Sequence, residues 1–167
     1  MKISEALLPE FDQEMANTRK VLERVPEGKG DWKPHPKSFN MASLTAHLAN
    51  MAEWAGLTLN TDSFDYAPPG AAPYETPKYA TNKDLLAAFD KSVAGARAAL
   101  AAADDSKMLA PWSLMAGGKT IMTMPRVAVI RTFVMNHNIH HRAQLGVYLR
   151  LNDIPVPGVY GPSADES

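Results

Sequence analysis

Five histidines carry most of the chemistry open to this sequence: His35, His47, His137, His140 and His141. Cysteine is absent, which excludes thiol nucleophiles, Cys-ligated zinc, iron–sulfur clusters and disulfides together. His137 and His141 are spaced i and i+4. On a helix that spacing sets two imidazoles side by side, one turn apart, where both can donate to one ion. Counting about 100° per residue, the pair falls on the stripe marked by Ile130, Phe133, Val134, Leu145 and Tyr148, the predicted buried face. His140 falls about 60° to the other side of His137, at the margin of the stripe, and is the alternative partner. His47 shares a predicted helix face with Leu44, Met51, Trp54 and Ala55. A solitary inward histidine is ordinarily a hydrogen-bonded core residue, but three converging imidazoles leave too many buried polar groups to satisfy without a shared partner. His47, His137 and His141 thus match three neutral nitrogen ligands of a divalent ion. Zinc would be held tetrahedrally with one position open, and nickel or iron would also accept imidazole. A water or thiol in the open position would be acidified by the cation.

Around this set, Gln144 falls close to His137 and His141 and is placed to orient a ligand or meet a small-molecule substrate; its alternative is an amide bonded to a neighbouring helix. Trp54 and Tyr148 lie on the histidine-bearing faces as candidate pocket walls, though aromatics at such spacing are ordinarily core. His35, held between two prolines, is assigned no role, and Asn136 and Asn138 point away from the stripe. Competing templates fail. No Glu has a His three residues later, as di-iron carboxylate bundles require. There is no His-Glu-x-x-His, no Gly-x-Ser-x-Gly and no phosphate-cradling glycine loop. No general base stands out.

The elements that must position these residues are marked by proline. Thirteen prolines leave residues 10–25, 37–67, 78–110 and 126–154 free, and interior proline costs a helix about 3 kcal/mol. Four helices are therefore expected. The first runs from Ile3 to Val25 with Ser4 as cap and Pro9 in the first turn or kinking it. The second runs from Asn40 to Leu59. The third starts at Thr81, with Asp84 closing a capping box, and continues through Leu85, Phe89, Val93 and Leu100. The fourth begins at Pro125 in its first turn and ends near Asn152, before Pro155 and Pro157. Residues 60–80 look irregular and are long enough to let helices two and three run parallel. Trp112–Met115 and Thr120–Met122 alternate around Gly117-Gly118 and read as a β-hairpin. The expected fold is an all-α four-helix bundle with a small β-hairpin between helices three and four, in a single domain, residues 1–167.

Length and charge narrow the function further. The 167 residues suit one domain, and 46% hydrophobic content can fill a core. Seventeen Lys and Arg against eighteen Asp and Glu leave a formal charge of −1, which disfavours nucleic acid and polybasic membrane binding. The N-terminus lacks the apolar stretch of a secretory signal, and no segment approaches a membrane span, so a cytoplasmic protein is expected.

Leu44-Thr45-Ala46-His47-Leu48-Ala49, Trp54, and Asn136-His137-Asn138-Ile139-His140-His141-Arg142-Ala143-Gln144-Leu145 resemble the DinB family of damage-inducible proteins. Trp32-Lys33-Pro34-His35-Pro36-Lys37-Ser38 and the ending from Ile154 to Glu166 are similar to that family too. The resemblance implies an up-down-down-up bundle, a homodimer, and metal ligands at His47, His137 and His141. It also implies metal-dependent transferases or isomerases that use a low-molecular-weight thiol. The reading that follows is a divalent-metal enzyme activating water or a small thiol. The rival is a non-catalytic metal-binding or structural stress-response bundle.

Overall fold

An amphipathic run opens the chain. In the computed structural model, which describes residues 1–166, α1 (Ile3–Leu22) buries Leu7, Phe11, Met15, Val21 and Leu22. The helix is capped at Lys2, whose backbone N–H donates to Glu5 (2.9 Å). Ser4 is not the cap: it is buried and donates to the Ala103 carbonyl (3.0 Å), tying α1 to the end of α4 (Asn82–Ala102). Pro9 lies beyond the first turn, inside α1.

The expected second helix is interrupted at Ala52, giving α2 (Met41–Met51) and α3 (Glu53–Asn60). Asn40 caps α2 by accepting from the Ser43 N–H (2.8 Å). Thr81 caps α4 as its sequence predicts, accepting from the Asp84 N–H (3.1 Å). A short helix not expected from the sequence, α5 (Asp105–Leu109), is capped by Asp104. Leu44 and Leu48 of α2, Phe89 and Leu100 of α4, and Leu145 and Leu149 of α7 (His137–Arg150) meet Phe11 and Leu22 in one core.

The all-α expectation is corrected by the sheet. β1 (Ser63–Asp65) pairs in parallel with β2 (Pro111–Ala116), which pairs antiparallel with β3 (Lys119–Pro125). The result is a three-stranded mixed sheet in the order β1-β2-β3 packed with the helices, an α/β fold rather than a four-helix bundle of the up-down-down-up kind. The β2–β3 hairpin is the one expected, turning at Gly117 (φ 60°) and Gly118 (φ 76°), backbone angles that favour glycine. β1 lies in the connection read as irregular. Its three residues are too few to show alternation, and the partner that makes them a strand is some 50 residues away in sequence.

Two devices brace the sheet, one within it and one to the helices. The Asp65 carboxylate accepts from the backbone N–H groups of Ala67 (3.0 Å), Gly117 (3.2 Å) and Gly118 (2.7 Å). Arg126, almost fully buried, donates to the carbonyls of Thr58 (2.9 Å), Pro111 (2.9 Å) and Thr61 (2.8 Å) and to Asp62 (2.7 Å). One guanidinium thereby ties the end of α3 to the starts of β2 and of α6 (Arg126–Val129).

The expected fourth helix is likewise not uniform. Between α6 and α7, Ile130–Asn136 forms a π-helical stretch, with i→i+5 bonding that accommodates an extra residue in the turn. Thr132 donates its hydroxyl to the Ala128 carbonyl (2.6 Å). The wider turn moves Phe133 off the buried stripe on which regular helical spacing places it: the side chain is 37% exposed, while Ile130 and Val134 are fully buried. No helix among the described residues is long and apolar enough to cross a membrane.

Candidate metal centre

His47 projects from the middle of α2, and His137 and His141 from the first two turns of α7, which packs against α2. Ring centroids are 5.1 Å apart for His47–His137, 4.7 Å for His47–His141 and 4.6 Å for His137–His141. One ring nitrogen from each lies within 4.8 Å of the other two, so the three form a group that could hold one ion. His140 is exposed and stays outside it, its ring 4.9 Å from that of His141. His35 sits in a loop, where its Nδ1 accepts from the Lys37 N–H (3.1 Å).

Proton placement within the α7 pair decides what the group can do. The Gln144 Oε1 lies 2.7 Å from His141 Nδ1, so that nitrogen carries the proton and the lone pair is left on Nε2. Nε2 of His137 faces Nε2 of His141 at 2.8 Å. The His141 lone pair therefore points at His137 Nε2 at 2.8 Å, where it meets either the ring proton of His137 or a cation.

A proton is a poor candidate for that cation. Burial lowers the pKa of His141, which outweighs the opposing bond to Gln144, and the positive potential of His137 and His140 lowers it further. Burial likewise lowers His137 against the pull of the Phe133 carbonyl. His47 is lowered to about 4, by burial first and then by its two partners. All three rings are neutral donors at pH 7, the protonation state that a divalent ion requires.

Beside His47 a pocket of about 200 Å³ opens, lined also by Asn50, Trp54, Tyr66, Tyr74 and Thr76. Tyr74 has its pKa raised, by burial and then by the carboxylate of Glu53, so it presents a neutral hydroxyl. Trp54, expected as a pocket wall, lines this space. Gln144 meets His141 rather than the pocket. Tyr148 is buried away from it, stacked edge-on against Trp32 (5.3 Å) and donating to the Phe39 carbonyl (3.0 Å).

The sequence matches the DinB superfamily over residues 10–145. The chain belongs to that superfamily. In fold, this DinB-superfamily protein is similar to the crystal structure of a DinB-like protein from Bacillus cereus (TM-score 0.72, 20% identity), covering 95% of this chain and 98% of that one. It is also similar to a DinB-like protein from Bacillus subtilis (TM-score 0.68, 15% identity), covering 97% and 99%. No curated protein matches the sequence.

What orients the histidine pair in this DinB-superfamily chain lies on the opposite face of α7. Arg142, 3% exposed, donates to Glu14 Oε2 (2.7 Å), to the Glu14 carbonyl (3.0 Å) and to the Tyr160 hydroxyl (2.6 Å). Tyr160 in turn donates to Glu14 (2.7 Å). One turn earlier, the buried Asn138 accepts from the Thr18 hydroxyl. These contacts dock α7 on α1 and set the rotation that turns His137 and His141 toward α2. Spacing arguments place Asn138 off the histidine face but do not reveal that it and Arg142 form a second, polar seam. A buried Arg and Asn on one helix would have been the signal. The pocket residues Tyr66 and Tyr74 were also missed, because they belong to the connection whose path the sequence does not specify.

Proposed function

We propose that this protein binds a divalent metal ion through His47, His137 and His141 and uses the ion's open side to activate water or a small thiol toward an organic substrate. The observation that carries the reading is the convergence of one ring nitrogen from each of His47, His137 and His141 to within 4.8 Å of one another. When bound, the ion supplies Lewis acidity, lowering the pKa of a water or thiol in its open position. The chain does the rest. Gln144 holds the His141 ring in the tautomer that keeps Nε2 free. α2 brings His47 to the same place, and the pocket beside His47 receives the organic partner. Imidazole donors fit zinc and nickel best on availability and softness, with iron also compatible.

A non-catalytic metal-binding role is the second reading. It is favoured by one observation: among the described residues that line the pocket, none is a carboxylate or an amine that could move a proton. Two measurements separate the readings. Purified protein is loaded with zinc or nickel, and its metal content is compared with that of His137→Ala. Near-stoichiometric retention by the wild type and loss in the variant is expected, and equal content in the two would end the metal reading. Conjugation of small thiols to monochlorobimane is then followed with the loaded protein. Turnover above the His137→Ala background supports the enzyme, and its absence across thiols and metals supports the binder.

A further inference from the structure

The pocket beside the triad carries more information than its position. Two of its lining residues, Trp54 of α3 and Tyr74 of the connection after β1, form a ring cluster with Phe64 of β1, which packs on both. The centroid separations are 5.7 Å for Trp54–Phe64 and 6.2 Å for Tyr74 with each of the others, all edge-on. This is the geometry in which positive ring edges meet negative ring faces, and a further ring added to such a cluster gains the same attraction. The wall is held in place. Phe64 sits in the parallel ladder opposite Leu114, and the Tyr74 N–H donates to the Tyr66 carbonyl (2.8 Å). Tyr66 in turn donates its N–H to Met115 (3.2 Å).

The floor is polar but satisfied. Asn50 donates to the Ala46 carbonyl (2.8 Å) and accepts from the Tyr79 hydroxyl (2.8 Å), so its amide has no need of a ligand. Besides His47 the lining residues are Asn50, Trp54, Tyr66, Tyr74 and Thr76, none of them an acid, a lysine or an arginine. In the metal-free protein a charged group entering the pocket would lose water without a lining side chain of opposite charge to pair with, which is costly. Lys91 lines only the larger cleft between α3 and α4, on the far side of Asn50. The volume, about 200 Å³, suits one ring with a small substituent; an apolar cavity of about 150 Å³ is enough for benzene.

We infer that the pocket bounded by Trp54, Tyr66 and Tyr74 is a binding site for a small, uncharged aromatic compound, held with its ring against the cluster and its substituent toward His47. This rests on the metal reading for what the substituent meets, but binding of the ring itself does not.

The test is calorimetric titration of metal-free protein with ring-matched probes: benzyl alcohol, benzoate, benzylammonium and the saturated cyclohexylmethanol. Benzyl alcohol is expected to bind at least tenfold more tightly than each of the other three. Tyr74→Ala, at a residue 43% exposed, keeps the fold intact and is expected to weaken benzyl alcohol at least tenfold, as is Trp54→Leu. Ile121→Ala on the exposed hairpin is expected to change nothing. No measurable binding of benzyl alcohol, binding unchanged in Tyr74→Ala, or equal or tighter binding of either ion or of the saturated probe would overturn the inference. Zinc is titrated separately into the same preparation. Zinc binding without aromatic selectivity sinks this inference alone, and aromatic selectivity without zinc binding sinks only the metal reading.

Discussion

Replacing Gln144 tests the idea that the tautomer of His141 is held from outside the ligand set. Gln144 is exposed, so Gln144→Leu removes the Oε1 acceptor 2.7 Å from Nδ1 with little effect on packing. Without that acceptor the ring is free to carry its proton on Nε2, the nitrogen that faces His137. The loss has two parts. A neutral hydrogen bond is worth about 0.5–1.5 kcal/mol net, and the ring must also be turned back into its ligating tautomer on binding. Removing such an outer partner of a metal-bound histidine typically weakens affinity about 10–100-fold, or about 1.4–2.8 kcal/mol. Zinc affinity measured by competition with a chromophoric chelator at pH 7 is expected to fall by that factor in Gln144→Leu. Gln144→Glu keeps an oxygen acceptor on Nδ1 and is expected to bind zinc at least as tightly as the wild type. A Gln144→Leu protein that binds zinc within twofold of the wild type would refute the reasoning, and so would a Gln144→Glu protein as weak as the leucine variant.

Three further outcomes are expected. In metal-free protein His47 has a pKa of about 4 against 6.5 when unfolded. The unfolded chain therefore binds more protons between these values, and stability falls as pH drops from about 6.5 to 4; thermal melts of His47→Gln should show a flatter decline over that window. Arg142→Ala leaves the buried Glu14 carboxylate without its partner and is expected to cost about 3–5 kcal/mol in urea unfolding, with the double variant Glu14→Gln/Arg142→Met milder than the single one. Asp65→Ala strips an acceptor from three backbone N–H groups and is expected to cost about 2 kcal/mol. It should also raise amide exchange across residues 63–76, with exchange in α1 unchanged.

The helices were legible because their signals are local. Proline spacing bounded them, Thr81 announced the start of α4, and the glycine pair marked the hairpin turn. The histidine set was legible for the same reason, since two of its members are one turn apart and the third lies mid-helix in α2. What escaped has a common cause in pairing across the sequence. Ser63–Asp65 is a strand only because β2 lies beside it, and Tyr66 and Tyr74 become a wall only because that strand fixes the connection. The interruption at Ala52 and the π-helical turn escaped differently: neither contains proline or glycine, so composition gives no warning. Phe133 shows the price of assuming one uniform pitch.

The extra residue in Ile130–Asn136 makes one continuous rod behave as two independently seated parts. Upstream, the rod is keyed to the sheet through Arg126; downstream, it is keyed to α1 through Arg142, and each docking fixes its own rotation. An unbroken pitch would let only one of those settings be satisfied, because the other would follow from it by arithmetic. Forcing regular pitch on all seven residues would therefore swing the imidazoles or the hairpin out of line by roughly 100°, whereas deleting one of them would restore an ordinary turn with both settings kept. The spare residue works as a spacer shim, and it allows the aromatic wall and the nitrogen donors to be adjusted against each other one at a time.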